Sequence, residues 1–170
     1  MRNVSLLFLI KKTDEQISDI CLAMKKRGFG AGRWNGVGGK PDEGETIEET
    51  TIREAREEIG ITAKNIYKVA ELDFTFPHNE LWCQTVNTYF TEEWDGEPEE
   101  SEEMLPKWYK ISEIPFSEMW PDDIFWLPKV IDGEKIKGKF TFGEGDTILE
   151  QKLESVESFD IKSEYKIGKF

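Results

Sequence analysis

The chain has 170 residues, enough for one domain with its own core, and its six Trp and eleven Phe exclude a disordered polymer despite 34% charged residues. A formal charge of −13 at pH 7 excludes a surface built for duplex DNA or RNA, which would need clustered Lys and Arg. Cys21 and Cys83 lie far apart without a C-x-x-C spacing and read as reduced thiols of a cytoplasmic protein, not as a disulfide or a zinc site. The apolar run Val4–Ile10 is too short for a signal h-region or a bilayer span, so no membrane is expected as a partner.

In chain order, Val4–Ile10 predicts a buried strand and Ile17–Met24 a second, across a polar turn. The glycine-rich stretch 28–39 fits neither an ordinary helix nor a strand. From Thr46 the pattern becomes helical: Thr46 with Glu49 forms a capping box, and Gly60 marks the stop. Ile47, Thr51, Ala55 and Ile59 make a narrow inward stripe on that helix. Residues 66–90 alternate as strands do, with Phe74 and Phe76 on one face. The acidic stretch Glu92–Glu103 reads as a solvated loop around an Asp95-Gly96 turn. Further strands are expected at Lys107–Ile111, Lys139–Phe142 and Thr147–Leu153, and a short helix near Pro121. Interleaved strands and two helices indicate an α/β or α+β sandwich around a mixed sheet. One domain is expected over residues 1–156, with 157–170 a loosely attached extension.

The chemistry concentrates in residues 39–61. Glu54 and Glu58 stand one turn apart on one helix face, with Glu57 beside them. An ordinary acidic face is the bland alternative, but three carboxylates so close repel one another in any partly buried site. Magnesium resolves that repulsion, because it takes hard oxygen ligands and bridges carboxylates to phosphates. The preceding Val37-Gly38-Gly39 lets backbone come close to metal or phosphate, with the Gly38 carbonyl as a further ligand. Arg53 can pair with Glu57 or fold back toward Glu45; either fixes a carboxylate's direction.

The full string is Gly39, five residues, Glu45, seven residues, then Arg53-Glu54-Ala55-Arg56-Glu57-Glu58-Ile59-Gly60-Ile61. It resembles the signature of the Nudix hydrolase superfamily, MutT-like, in every charged and glycine position, with Ala55 where the family has a larger aliphatic. The resemblance implies the Nudix fold, an α-β-α sandwich, and a monomer acting on a small nucleotide. It implies Mg²⁺, with Mn²⁺ as a substitute, held by Glu54, Glu57 and Glu58 and approached by Glu103. Arg53 and Glu45 would orient the loop and helix, and water would attack a phosphorus of a nucleoside diphosphate derivative.

Outside that signature, residues 25–36, Ile114-Pro115-Phe116, Met119-Trp120-Pro121-Asp122-Asp123, Trp126 and Asp146–Leu149 resemble the mammalian oxidised purine nucleoside triphosphatases, the 8-oxo-dGTP diphosphatases. The likeness runs from about residue 4 to 156 and departs near 11–19, in much of 77–92 and in the tail. It implies that Asn35, Trp120, Asp122 and Asp123 contact a purine. Physically, Trp120 offers a stacking face, and an adjacent carboxyl pair sharing a proton presents both donor and acceptor to a base edge. From local pattern alone, Asp122-Asp123 would be an ordinary helix N-terminus. Phe29, Phe74, Ser5, Lys25, Gly38 and Gly39 complete the expected pocket, with Phe76 weaker and His78 given no role. Other nucleoside diphosphate derivatives as substrate, or a non-catalytic sensor, are the alternatives.

Overall fold

The computed structural model describes residues 1–159. Its strands are β1 (Arg2–Thr13), β2 (Gln16–Lys25), β3 (Trp34–Asn35), β4 (Thr62–Lys64), β5 (Tyr67–Thr75), β6 (Gln84–Thr91), β7 (Glu93–Asp95), β8 (Met104–Lys110), β9 (Lys135–Phe142) and β10 (Ile148–Val156). The helices are α1 (Ile47–Ile59) and α2 (Asp123–Ile131). The main sheet runs β10-β9-β5-β6-β1-β2-β3, with β8 also on β2. It is mixed: β1 lies parallel to β6 and β5 parallel to β9, while the other pairs are antiparallel.

Strand alternation divides the core between the two faces. On β1, Phe8 and Ile10 join Trp126, Leu127 and Val130 of α2, whereas Leu7 and Leu9 join Ala55 and Ile59 of α1. On β2, Ile20 and Leu22 take the first face and Cys21 and Ala23 the second. The expected sandwich is therefore present, a sheet between two helical layers. Among the described residues no helix is long and apolar enough to cross a membrane.

The cap of α1 forms as its sequence predicts. Thr46 Oγ1 accepts from the Glu49 amide (3.1 Å), the Glu49 carboxylate accepts from the Thr46 amide (2.9 Å), and Gly60 closes the helix at φ 72°. The inward stripe is wider than the fourfold spacing alone shows, because Thr50 and Glu58 are buried with it.

Three expectations change. The acidic stretch is not all loop: Glu93–Asp95 pairs with Thr62–Lys64, because Trp94 packs on the α1-side core and stacks with Trp108 at 5.8 Å, bringing its backbone into a ladder. Residues 66–90 are two strands broken by a turn around Glu80–Trp82, whose start Asn79 caps through the Leu81 amide. Helix α2 begins at Asp123, so Pro121 precedes it instead of occupying its first turn. Of the extension from 157, Phe159 is buried beneath Lys68, whose Nζ lies 5.0 Å from the ring centroid. The remainder of that expectation, 160–170, lies outside the described residues.

Replacing Thr46 by Ala removes the acceptor for the Glu49 amide, and a loss of about 1 kcal/mol of stability is expected from urea denaturation. An unchanged midpoint at equal slope would show that the cap contributes nothing.

Candidate active site

The site begins with a close approach of backbones. Residues 37–39 run against β1, with Leu7 N–H donating to Val37 O (2.6 Å), Val37 N–H to Leu7 O (3.0 Å) and Ser5 N–H to Gly39 O (2.9 Å). A Cβ on Gly38 would lie 1.9 Å from Ser5 O, and one on Gly39 would lie 2.6 Å from the Glu54 carboxylate. Only glycine fits at Gly38, where the clash is with backbone, while a side chain at Gly39 would displace the Glu54 carboxylate. Val37 and Gly39 turn their carbonyls to β1, so alternation turns the Gly38 peptide groups the other way, toward α1. There the Gly38 amide donates to Glu58 Oε1 at 2.8 Å.

Arg53 organises the carboxylates around this loop. Its Nε and Nη2 hold both oxygens of Glu45 (2.7 and 3.0 Å), Nη1 donates to Glu54 (2.9 Å) and Glu57 (3.1 Å), and Nη2 also reaches Lys40 O (3.0 Å). The two alternatives open in the sequence are thus satisfied together. The fork beside Glu45 pushes that carboxyl down to about 2, helped by the Asp42 amide. Glu54 is raised by burial against the opposing pull of Arg53. Glu58 is pushed up to about 8, first by burial and then by the charges of Glu54 and Glu103, with the Gly38 amide opposing. Glu103 is exposed and faces Arg27 at 3.8 Å.

Among the described residues no three His, Cys, Asp or Glu groups close into a ready-made metal cage, and Glu54 and Glu57 both accept from Arg53 Nη1. The donor set nevertheless fits a hard cation. Glu54 and Glu58 are oxygen donors whose proton affinity is raised by burial and by neighbouring carboxylates, Glu57 and Glu103 for Glu54, Glu54 and Glu103 for Glu58.

Beside this cluster, and sharing Gly38 and Gly39 with it, lies a cavity of about 620 Å³. Ser5, Lys25, Phe29, Asn35, Gly38 and Gly39 line it, as do Phe74, Trp120, Asp122 and Asp123. The residues expected in the pocket thus share one cavity. Ser5 also clasps the loop, its Oγ accepting from the Gly39 amide at 3.2 Å. The Asn35 carboxamide oxygen accepts from the Gly36 amide (2.8 Å), which orients its Nδ2.

Asp122 and Asp123 do not cap α2, because no side-chain cap bond forms at Asp122. Instead Asp122 Oδ2 accepts from Trp126 Nε1 at 2.8 Å, and Asp123 Oδ2 is buried without a hydrogen-bond partner among the described residues. Burial raises both carboxyls, Asp122 to about 6 and Asp123 well above the usual range; the charge of Asp122 raises Asp123 further, and Arg33 opposes both shifts. Two carboxyls so close hold a proton between them more readily than two negative charges.

The cavity is also lined by Phe76, the weaker expectation, and, beyond the expected set, by the cations Arg2, Arg33 and Lys40 and the aromatics Trp82, Trp126 and Phe142. Phe29 lies 5.1 Å from both Trp82 and Trp120, and Phe76 stacks on Phe142 at 5.1 Å. Alternation in residues 66–90 already hints at Phe76. Trp82 carries no local signal, since it reaches the cavity only through the turn before β6.

A model of the NUDIX domain matches residues 1–130. The chain is 46% identical over 138 residues to a zebrafish (Danio rerio) protein named oxidized purine nucleoside triphosphate hydrolase, covering 81% of this chain and 88% of that one. It is likewise 46% identical over 141 residues to the mouse (Mus musculus) protein of that name, covering 82% and 89%. In fold it resembles the mutator MutT protein from Bacillus halodurans, with a TM-score of 0.76 at 24% identity over 91% of this chain and 98% of that chain. A glycine loop sewn to β1, a capped helix carrying Glu54, Glu57 and Glu58, and these similarities place the chain in the Nudix family.

Proposed function

We propose that this chain hydrolyses oxidised purine nucleoside triphosphates, of the 8-oxo-dGTP and 2-hydroxy-dATP type, to the monophosphate and pyrophosphate. The carrying observation is the Asp122 and Asp123 pair, buried and lining the same cavity as Trp120, whose loop Gly38-Gly39 abuts the glutamates of α1. The names of the zebrafish and mouse relatives support the same substrate class. A monomer and a cytoplasmic setting complete the reading, the latter resting on the two free cysteines.

In this reading the base stacks on Trp120, with Phe29 and Phe74 as walls and Asn35 at its edge. Asp122 and Asp123, sharing a proton, offer a donor and acceptors, which suits oxidised purines whose edges differ. The polyphosphate lies over Gly38 and Gly39, with Ser5 behind the loop and the Lys25 ammonium compensating charge. Glu54, Glu57 and Glu58, the Gly38 carbonyl and Glu103 would hold Mg²⁺, or Mn²⁺ in its place. The ion would neutralise charge on the phosphates and acidify the attacking water. Arg53 and Glu45 keep the carboxylates aimed. Water oxygen bonds to phosphorus, the bridging P–O bond breaks, and a glutamate accepts the water's proton.

The decisive experiment is a magnesium-dependent pyrophosphate-release panel over normal, 8-oxo and 2-hydroxy purine triphosphates and ADP-ribose. The oxidised purines should lead in kcat/KM; ADP-ribose in first place would overturn the substrate assignment. Glu58→Gln should lower turnover at least about a hundredfold while leaving the urea midpoint intact or higher, because its ionised form is disfavoured by burial. Unchanged turnover would remove the metal-site assignment.

The acid pair also predicts a pH effect. Both carboxyls bind protons more tightly folded than at their ordinary value of 3.8, so their ionisation costs stability as pH rises. The cost starts above 3.8 and grows through about 6 for Asp122, and further for Asp123. Replacing both by Asn should flatten the decline of the urea midpoint between about pH 4 and 7, and an equal slope in wild type and variant would refute it.

A further inference from the structure

Arg33 lines the cavity, yet its guanidinium is already committed. Its Cζ lies 4.1 Å from the centroid of the Trp120 ring, and Nη2 lies 2.9 Å from Asp146 Oδ2. Both ion-pair side chains are about three-quarters withdrawn from solvent, at 28% and 25% exposure. The pair joins two distant turns. Arg33 ends the glycine turn after β2, where its amide donates to Gly30 O (3.3 Å) and its carbonyl accepts from Lys25 N–H (3.3 Å). Asp146 sits at φ 60° in the connection between β9 and β10, which Gly143 N–H closes onto Thr147 O at 2.7 Å.

The same glycine turn also bounds the edge of the indole. A Cβ on Gly30 would lie 3.3 Å from Trp120 Nε1, so the turn abuts the ring's polar edge while Arg33 covers a face. A planar, weakly hydrated guanidinium suits this double task, because it stacks on an aromatic face while a nitrogen at its rim reaches a carboxylate. An aromatic plate with one face covered by a cation has one face left for a base.

We propose that Arg33, anchored by Asp146, is a positioning residue: it fixes the plane of Trp120 and leaves a single face of that ring for the purine. The proposal rests on the purine reading of the cavity. It assigns Arg33 to base stacking and not to the phosphates, because its guanidinium plane lies on Trp120 and its Nη2 on Asp146 within the protein.

The test compares wild type with Arg33→Gln, Arg33→Lys and Asp146→Asn. KM and kcat are measured on 8-oxo-dGTP, together with the inhibition constant of inorganic tripolyphosphate, which has phosphates and no base. Arg33→Gln should raise KM about tenfold with kcat lowered no more than about twofold, and tripolyphosphate inhibition should not move. Arg33→Lys should fall between, since an ammonium can sit over the ring but cannot fork to Asp146 at the same time. Asp146→Asn should raise KM about threefold by loosening the anchor. Wild-type KM in Arg33→Gln, a fall confined to kcat, or an equal weakening of tripolyphosphate would each overturn the assignment. If Arg33→Gln does not fold, Arg33→Lys and Asp146→Asn decide by the same readouts. Failure of the purine reading is separate: wild type would then prefer another nucleotide in the panel, and the variants are read on that one.

Discussion

The close seating of residues 36–39 against β1 is the constraint on which the rest of the site depends. Three backbone hydrogen bonds bring the loop so near that a methyl on Gly38 would collide with Ser5 O at 1.9 Å. That seating turns the Gly38 amide onto Glu58 and leaves the Glu54 carboxylate in the space a Gly39 side chain would fill. The helix is therefore tied to the loop through Glu58, one of the carboxylates proposed to hold the metal. A buried glutamate is costly in a core, and here its lone pairs are directed by a backbone donor. Strand β1 also supplies Ser5 to the cavity, so one strand aligns the glutamates with the pocket beside them.

Electrostatics divide the site into two regimes. At the glutamates, Arg53 spreads one positive charge over Glu45, Glu54 and Glu57, which holds their directions without satisfying their total charge. In the cavity, two carboxyls are buried with an indole donor on one of them, and burial raises the proton affinity of both against the pull of Arg33. Both regimes sit in a chain of charge −13, and the cavity wall still places Arg2, Lys25, Arg33 and Lys40 among its lining residues. Local charge, not net charge, is what an anionic substrate meets.

The aromatic content has a similar logic. Phe76 is buried and touches Phe29, Trp82, Trp120 and Phe142, so the pocket wall and the α2-side core are one continuous aromatic cluster. Rings pack at high density with little loss of rotamer freedom, which lets a wall of side chains from separate turns hold a defined shape. Phe29, which is the exposed member, lies between Trp82 and Trp120 at equal distance from each.

Local chemistry makes α1 readable from its residues alone: Thr46, Glu49 and Gly60 act within one turn of themselves, and Glu54, Glu57 and Glu58 share a face by helical spacing. The reaction class and the divalent cation follow from that spacing and the resemblance it carries, whereas Asn35, Trp120, Asp122 and Asp123 are legible only through resemblance. Tertiary structure alone decides the rest. Trp94 draws an acidic stretch into a strand with residues 62–64, Trp82 enters the cavity from a turn without any motif, and Asp146 reaches Arg33 from more than a hundred residues away. The choice between helix cap and buried acid pair at Asp122-Asp123 is likewise decided by burial and by Trp126. The physical reason is range: hydrogen bonds within a turn are set by neighbours in sequence, whereas desolvation and ring packing depend on which strands the sheet brings together.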